Sequence, residues 1–174
     1  EELSKLKRLE KQILVERPLI SRELASKSQG SAIVLSMDET FCVMINEEDH
    51  LRMQAILPGL QIKEAWKSMN KMDTMLESKL PIAFSSDFGY LTACPTNLGT
   101  GIRVSAMLHL PGLVMAEHMQ QTITAVNKLG LAVRGLYGEG TEALGNVFQV
   151  SNQMTLGESE IQIIERLNKV VLQI

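Results

Sequence analysis

Ala32-Ile33-Val34-Leu35-Ser36-Met37-Asp38-Glu39-Thr40-Phe41-Cys42-Val43-Met44-Ile45 is the stretch on which the fold turns. Two short apolar runs, rich in β-branched residues, flank a polar insert at 37–40. That pattern reads as two antiparallel strands joined by a turn. Before it, Leu3, Leu6, Leu9 and Ile13 recur at helical spacing among Lys, Arg and Glu. This predicts an amphipathic helix that ends by Pro18. Residues 21–30 are small and polar, and read as a loop with room for short helical turns.

After the hairpin, Asn46 reads as the N-cap of a short helix with Glu47, Glu48 and Asp49 in its first turn, stopped by Pro58-Gly59. A longer helix follows, with Ile62, Trp66, Met69 and Leu76 along one face. Residues 84–93 read as extended and broken at Gly89, and 103–110 as a strand. Past Pro111-Gly112, one helix carries Leu113, Ala116, Met119, Ile123 and Val126 and stops at Gly130. Leu131-Ala132-Val133 opens a strand, 135–145 is a glycine-rich loop, and 147–150 is a short strand. Thr155-Leu156-Gly157-Glu158 matches a capping box for a last helix carrying Ile161, Ile164, Leu167 and Val171. Hairpins among clustered helices give an α+β class with a largely antiparallel sheet flanked by helices.

The chain has 174 residues, 45% of them hydrophobic and 21% charged, with a formal net charge of −3. The length suits a single domain with a real core. The slight acidity argues against a protein that holds nucleic acid by bulk charge. Two cysteines, Cys42 and Cys94, make neither a disulfide framework nor a zinc pair, so a reducing cytoplasm is expected and no metal site. No apolar run is long enough to cross a bilayer. The sequence opens in helical periodicity and closes on Leu172-Gln173-Ile174, as a piece of a longer protein would.

Three constellations can carry chemistry. In Cys94-Pro95-Thr96-Asn97-Leu98-Gly99-Thr100-Gly101-Ile102-Arg103, glycines allow close backbone approach to a ligand and Arg103 offers a planar fork to phosphate. The plainer reading is a tight turn with a buried cysteine. In Asn46-Glu47-Glu48-Asp49-His50-Leu51-Arg52, Glu48 and Arg52 fall one helical turn apart, as a surface ion pair or as a carboxylate and a guanidinium facing a cleft. In Arg134-Gly135-Leu136-Tyr137-Gly138-Glu139-Gly140-Thr141-Glu142, glycines would let a loop close over a phosphate and a cation. No Walker-type glycine-lysine motif occurs, so a nucleotide would be held mainly by side-chain cations.

Asn-Glu-Glu-Asp-His at 46–50, Cys-Pro-Thr-Asn-Leu-Gly-Thr-Gly at 94–101 and Arg103 resemble the ATP:guanido phosphotransferases, the arginine and creatine kinase family. Arg134 to Gly140 and Ser151-Asn152-Gln153 are similar to the bacterial branch that phosphorylates arginines within proteins. The likeness runs from about Leu14 onward. It implies one catalytic domain over 1–174, partial, without the Ser-Ser-Arg-Ile-Arg strand and the further C-terminal domain of relatives. It implies Glu48 as the carboxylate that holds the acceptor guanidinium and takes its proton. Glu139 would be its partner, with Glu142 the alternative, and Cys94 an electrostatic contact. Arg52, Arg103 and Arg134 would clamp the ATP phosphates. Val104, Ser105, Ala106 and Met107, with Gly135, Leu136, Tyr137, Gly138 and Glu139, would line the nucleotide site, and Mg2+ would bridge the phosphates.

Implied partners are arginine-bearing proteins, a zinc-finger activator, a heat-shock repressor and the Clp protease in a stress response. Membrane and direct nucleic-acid contacts are not implied, and an oligomer is compatible. A kinase for free arginine or another small guanidine is the alternative enzyme. A regulatory fragment without turnover is the alternative outside catalysis.

Overall fold

The computed structural model describes residues 1–27, 29–137 and 143–174. Its contacts fall into two compact units, Glu1–Ile82 and Ala83–Ile174. All strand pairs within the named sheets are antiparallel, so the α+β class with antiparallel sheets holds.

In the first unit a 3-10 turn at Leu3–Lys5 precedes α1 (Arg8–Glu16) and α2 (Arg22–Ser26). Ser21 caps α2, its hydroxyl accepting from the Leu24 N–H at 3.0 Å. The expected hairpin forms from β1 (Ala32–Leu35) and β2 (Phe41–Ile45), and β3 (Leu51–Ala55) adds to it in the order β1-β2-β3. Strand alternation sends Cys42 and Met44 inward, where they meet Leu3, Ile20, Leu24 and Ile33. Each of the Leu, Ile and Met side chains, once fully buried, contributes about 1.5–3 kcal/mol. Helix α3 (Ile62–Glu77) packs along β3.

The short helix expected after Asn46 does not exist. Asn46 takes a left-handed φ of +57° and its N–H bonds the His50 carbonyl at 3.0 Å, which turns the chain straight into β3. Asparagine tolerates that conformation better than most residues. Leu51, Met53 and Ala55 then pair with Ile45, Val43 and Phe41.

In the second unit, β4 (Phe84–Ser85) and β5 (Gly89–Tyr90) make a two-residue ladder, followed by a 3-10 turn at Pro95–Asn97. The main sheet has the order β6-β8-β7, built from β6 (Ser105–His109), β7 (Leu131–Tyr137) and β8 (Ala143–Asn152). Ile123 and Val126 of α5 (Met119–Lys128) are buried, as are Ile163, Ile164, Leu167 and Val170 of α6 (Glu160–Gln173). They lie with Leu131, Val133, Phe148 and Val150 in this unit's core. Ile161 is largely exposed, so the apolar face of α6 is shifted from the expected one.

Two further expectations change here. The single helix after Pro111 is two, because α4 (Pro111–Met115) ends where Glu117 turns left-handed at φ +58°. The His118 N–H then bonds back to the Leu113 carbonyl at 3.0 Å, a helix-closing loop that caps α4. The capping box belongs to Ser159 and Gln162, not to Thr155 and Glu158: the Ser159 N–H bonds Gln162 Oε1 at 2.9 Å. The strands also run further than expected, to Tyr137 and from Ala143, so 138–142 is all that stands between them.

Candidate active site

The segment 46–50 is the tip of the β2–β3 hairpin and is pinned from behind. Lys27 Nζ donates to the carbonyls of Asn46, at 3.0 Å, and of Glu47. Asn46 Nδ2 donates to the Gly30 carbonyl at 2.6 Å. Glu48 is exposed, whereas Glu47 beside it is buried. The ion pair at this tip is Glu47 with Arg52, Oε1 to Nη1 at 3.0 Å, and not Glu48 with Arg52. With the helix gone, the one-turn spacing that joined Glu48 to Arg52 no longer applies. Sequence reasoning missed Glu47 because helical periodicity was the wrong ruler. The alternation of Leu51, Met53 and Ala55 with Arg52 and Gln54 could have revealed the strand.

Cys94 sits in the second unit, half-buried, with Sγ 3.0 Å from Thr96 Oγ1. The loop after it is tightly packed. Gly99 has φ +100°, and a Cβ there would lie 2.5 Å from the Thr155 carbonyl oxygen. The loop's N–H groups are turned inward: Gly99 to the Tyr90 carbonyl, Thr100 to that of Thr155, Ile102 to Thr100 Oγ1 and Val104 to Asn152 Oδ1. These amides serve the fold instead of offering a phosphate cradle. Arg103 braces the loop, with Nε to Asn97 Oδ1 at 3.0 Å, Nη1 to the Asn152 carbonyl at 3.1 Å and Nη2 to Thr96 Oγ1 at 3.1 Å.

Asn152 is the hub beneath this brace. It is fully buried, accepts from the Val104 N–H at 2.8 Å and donates to the carbonyls of Ile102 and Met154 at 3.0 Å each. A buried amide with three such bonds is strongly specified in place. In the sequence it stood out only within Ser151-Asn152-Gln153, a likeness that carries no sign of its burial.

Alternation divides the expected nucleotide residues. Ser105 and Met107 lie on the exposed face of β6, while Val104 and Ala106 are half-buried. Met107, Gln149 and Arg134 stand in one cross-strand row, and Gln149 Nε2 donates to Ser105 Oγ at 2.9 Å. Arg134 is exposed. Gly135, Leu136 and Tyr137 lie in β7, with Gly135 opposite Phe148. Gly138, Glu139 and Glu142 lie outside the described residues, as does the core of the expected loop. Glu48 and Arg52 belong to the first unit, and Cys94, Arg103 and Arg134 to the second. A pocket of about 240 Å³ in the second unit, lined by Phe84, Phe88, Tyr90 and Leu156 among others, takes in Gly99 and Thr100 of the loop but none of the residues expected to catalyse or to bind the nucleotide.

Comparisons with known proteins bear on this arrangement. A protein-arginine kinase of Pelotomaculum thermopropionicum is 58% identical over 172 residues, covering 99% of this chain and 48% of that protein. One of Desulforamulus reducens is 53% identical over the same length, again 99% and 48%. The chain thus spans about half the length of these relatives. Among solved structures, the duplicated taurocyamine kinase of Schistosoma mansoni with bound transition-state-analogue components superposes with a TM-score of 0.85 at 27% identity, covering 98% of this chain and 25% of that one. A lombricine kinase superposes with a TM-score of 0.80 at 28% identity, covering 98% and 50%. Residues 1–174 match the family described as ATP:guanido phosphotransferase, C-terminal catalytic domain, and the chain belongs to that family.

Proposed function

We propose that this chain supplies the catalytic part of a kinase that moves the γ-phosphoryl group of ATP to the guanidinium of arginine residues in proteins. The observation that carries the reading is the hairpin tip. There the exposed carboxylate of Glu48 lies within a few residues of the guanidinium of Arg52, which is paired to Glu47, and this supports the roles read for them. Identity supports protein arginine over a small guanidine: 51–58% to relatives named protein-arginine kinase, against 27–28% to the taurocyamine and lombricine kinases.

A guanidinium is not a nucleophile while protonated, and its pKa in water is above ~12. In this reading Glu48 fixes its plane and takes one proton as the guanidino nitrogen attacks the γ-phosphorus. The N–P bond forms, the bond from the γ-phosphorus to the bridging oxygen breaks, and ADP leaves with that electron pair. Arg52, Arg103 and Arg134 offset the charge spread over the moving group. Glu139, or Glu142, acts as the second carboxylate and Cys94 as an electrostatic contact. The cationic side chains of Arg52, Arg103 and Arg134 suit an anion and not a bare cation. Magnesium would therefore come with the nucleotide and would neutralise phosphate charge there. The wider reading, again from family resemblance, is cytoplasmic marking of proteins for Clp-dependent degradation under stress, with a zinc-finger activator and a heat-shock repressor as partners.

The test is Glu48→Gln in the full-length protein, which removes charge and keeps shape. Phosphoarginine formation on a denatured protein should fall by roughly 100-fold or more, the scale of general-base loss, with an unchanged circular dichroism spectrum. Normal turnover would end the assignment of Glu48. Phosphate appearing only on free arginine would replace the substrate.

A further inference from the structure

Glu47 has no part in the reaction just proposed, yet among the described residues it is the only charged side chain that is buried. Its side chain is 5% exposed, against 51% for its partner Arg52. A carboxylate taken out of water requires a cation or strong donors, and Arg52 Nη1 at 3.0 Å supplies them. The contact uses one edge of the guanidinium. The Arg52 side chain is still half-exposed with that contact made.

Glu47 itself cannot drift. Its backbone carbonyl is held by Lys27 Nζ, and the neighbouring Asn46 carbonyl takes hydrogen bonds from the same ammonium and from Ser31 Oγ at 3.3 Å. An unrestrained arginine is flexible and loses that freedom each time it grips a ligand. One tied at Nη1 to a buried carboxylate has lost much of it already, and its guanidinium has further donors for a ligand.

We infer that Glu47 is a positioning residue for nucleotide binding: it sets the orientation in which Arg52 presents its free donors to the phosphate chain. This rests on the proposed role of Arg52 in the phosphate clamp. An opposing effect must be outweighed, since the negative charge of Glu47 also repels phosphate. Orientation and charge predict different orders of affinity, so the two can be separated.

The experiment is calorimetric titration of the full-length protein with Mg2+-ATP, comparing wild type with Glu47→Gln, Glu47→Asp, Glu47→Ala, Arg52→Ala and the Glu47→Ala/Arg52→Ala double variant. Orientation predicts that Glu47→Ala weakens ATP binding by roughly tenfold, the scale of one ordered charged contact. Glu47→Gln, which keeps an acceptor at the same reach, should stay close to wild type. Glu47→Asp keeps the charge but withdraws it by one methylene, and should weaken binding. The double variant should bind no more weakly than Arg52→Ala alone. If Glu47→Gln and Glu47→Ala both bind ATP more tightly than wild type, charge governs and the inference is wrong. It is equally wrong if Glu47→Asp matches wild type, a comparison that stands even if the alanine variant fails to fold. Unchanged affinity in Arg52→Ala would instead bring down the clamp assignment itself.

Discussion

Burial pushes the Cys42 thiol up from 9.0 to about 11, because its sulfur lies among apolar side chains in the core of the first unit. The folded state therefore prefers the protonated thiol more strongly than the unfolded chain does. Below pH 9 both states hold the proton and nothing is lost. Between pH 9 and 11 the unfolded chain releases it first, so that share of stability disappears as pH rises. Urea midpoints of wild type and Cys42→Ala should run parallel from pH 7 to 9 and converge above it, with wild type losing more. Parallel curves up to pH 11 would mean that Cys42 ionises as freely folded as unfolded. Cys94 has different surroundings, half-buried beside a hydroxyl. The sequence separated the two by context, Cys42 within an apolar strand run and Cys94 at the head of a glycine-bearing loop.

At the scale of elements, Asn152 joins the end of β8 to the segment entering β6. Asn152→Ala strands the Val104 N–H and the carbonyls of Ile102 and Met154. The expected cost is roughly 2–4 kcal/mol, read as a lower urea midpoint at unchanged slope. Asn152→Asp can still accept but no longer donate, and should be destabilised as well. A loss below about 0.5 kcal/mol in both would show that the hub is dispensable. Elements whose evidence is local were legible: the β1–β2 hairpin, α3 and the stop at Gly130 follow from periodicity and turn residues. Those decided by distant contacts were not. Thr155 fits a capping box by spacing, but its hydroxyl lies 2.6 Å from the Leu98 carbonyl, far away in sequence. The cap then passes to Ser159. The acidic run after Asn46 suits a helix start, and one left-handed residue overrides it. Cys94 and Arg103 were legible through motif likeness, while Arg103 as a loop brace depends on Thr96, Asn97 and Asn152 coming together.

At the scale of the molecule, the residues proposed for one reaction are divided by the fold: Glu48 and Arg52 belong to Glu1–Ile82, and Cys94, Arg103 and Arg134 to Ala83–Ile174. Each unit buries its own set of apolar side chains, so each has its own stability to report. A ligand stabilises what it touches in the folded state by about 2.7 kcal/mol at a concentration of 100 Kd. Amides that exchange only when a unit opens slow by a corresponding factor. If one nucleotide is gripped from both units, Mg2+-ATP added to the full-length protein must slow hydrogen exchange in both. The informative amides are in β2 and β3 of the first unit and in β6 and β8 of the second. Arg103→Ala removes a proposed phosphate contact and a loop brace, both in the second unit; if it weakens a shared ligand, the ATP-dependent protection of β2 and β3 should fall as well. Protection confined to the second unit, or an Arg103→Ala effect that stops there, would mean that Arg52 does not hold the same nucleotide. The transfer chemistry proposed for Glu48 would then have no phosphate beside it.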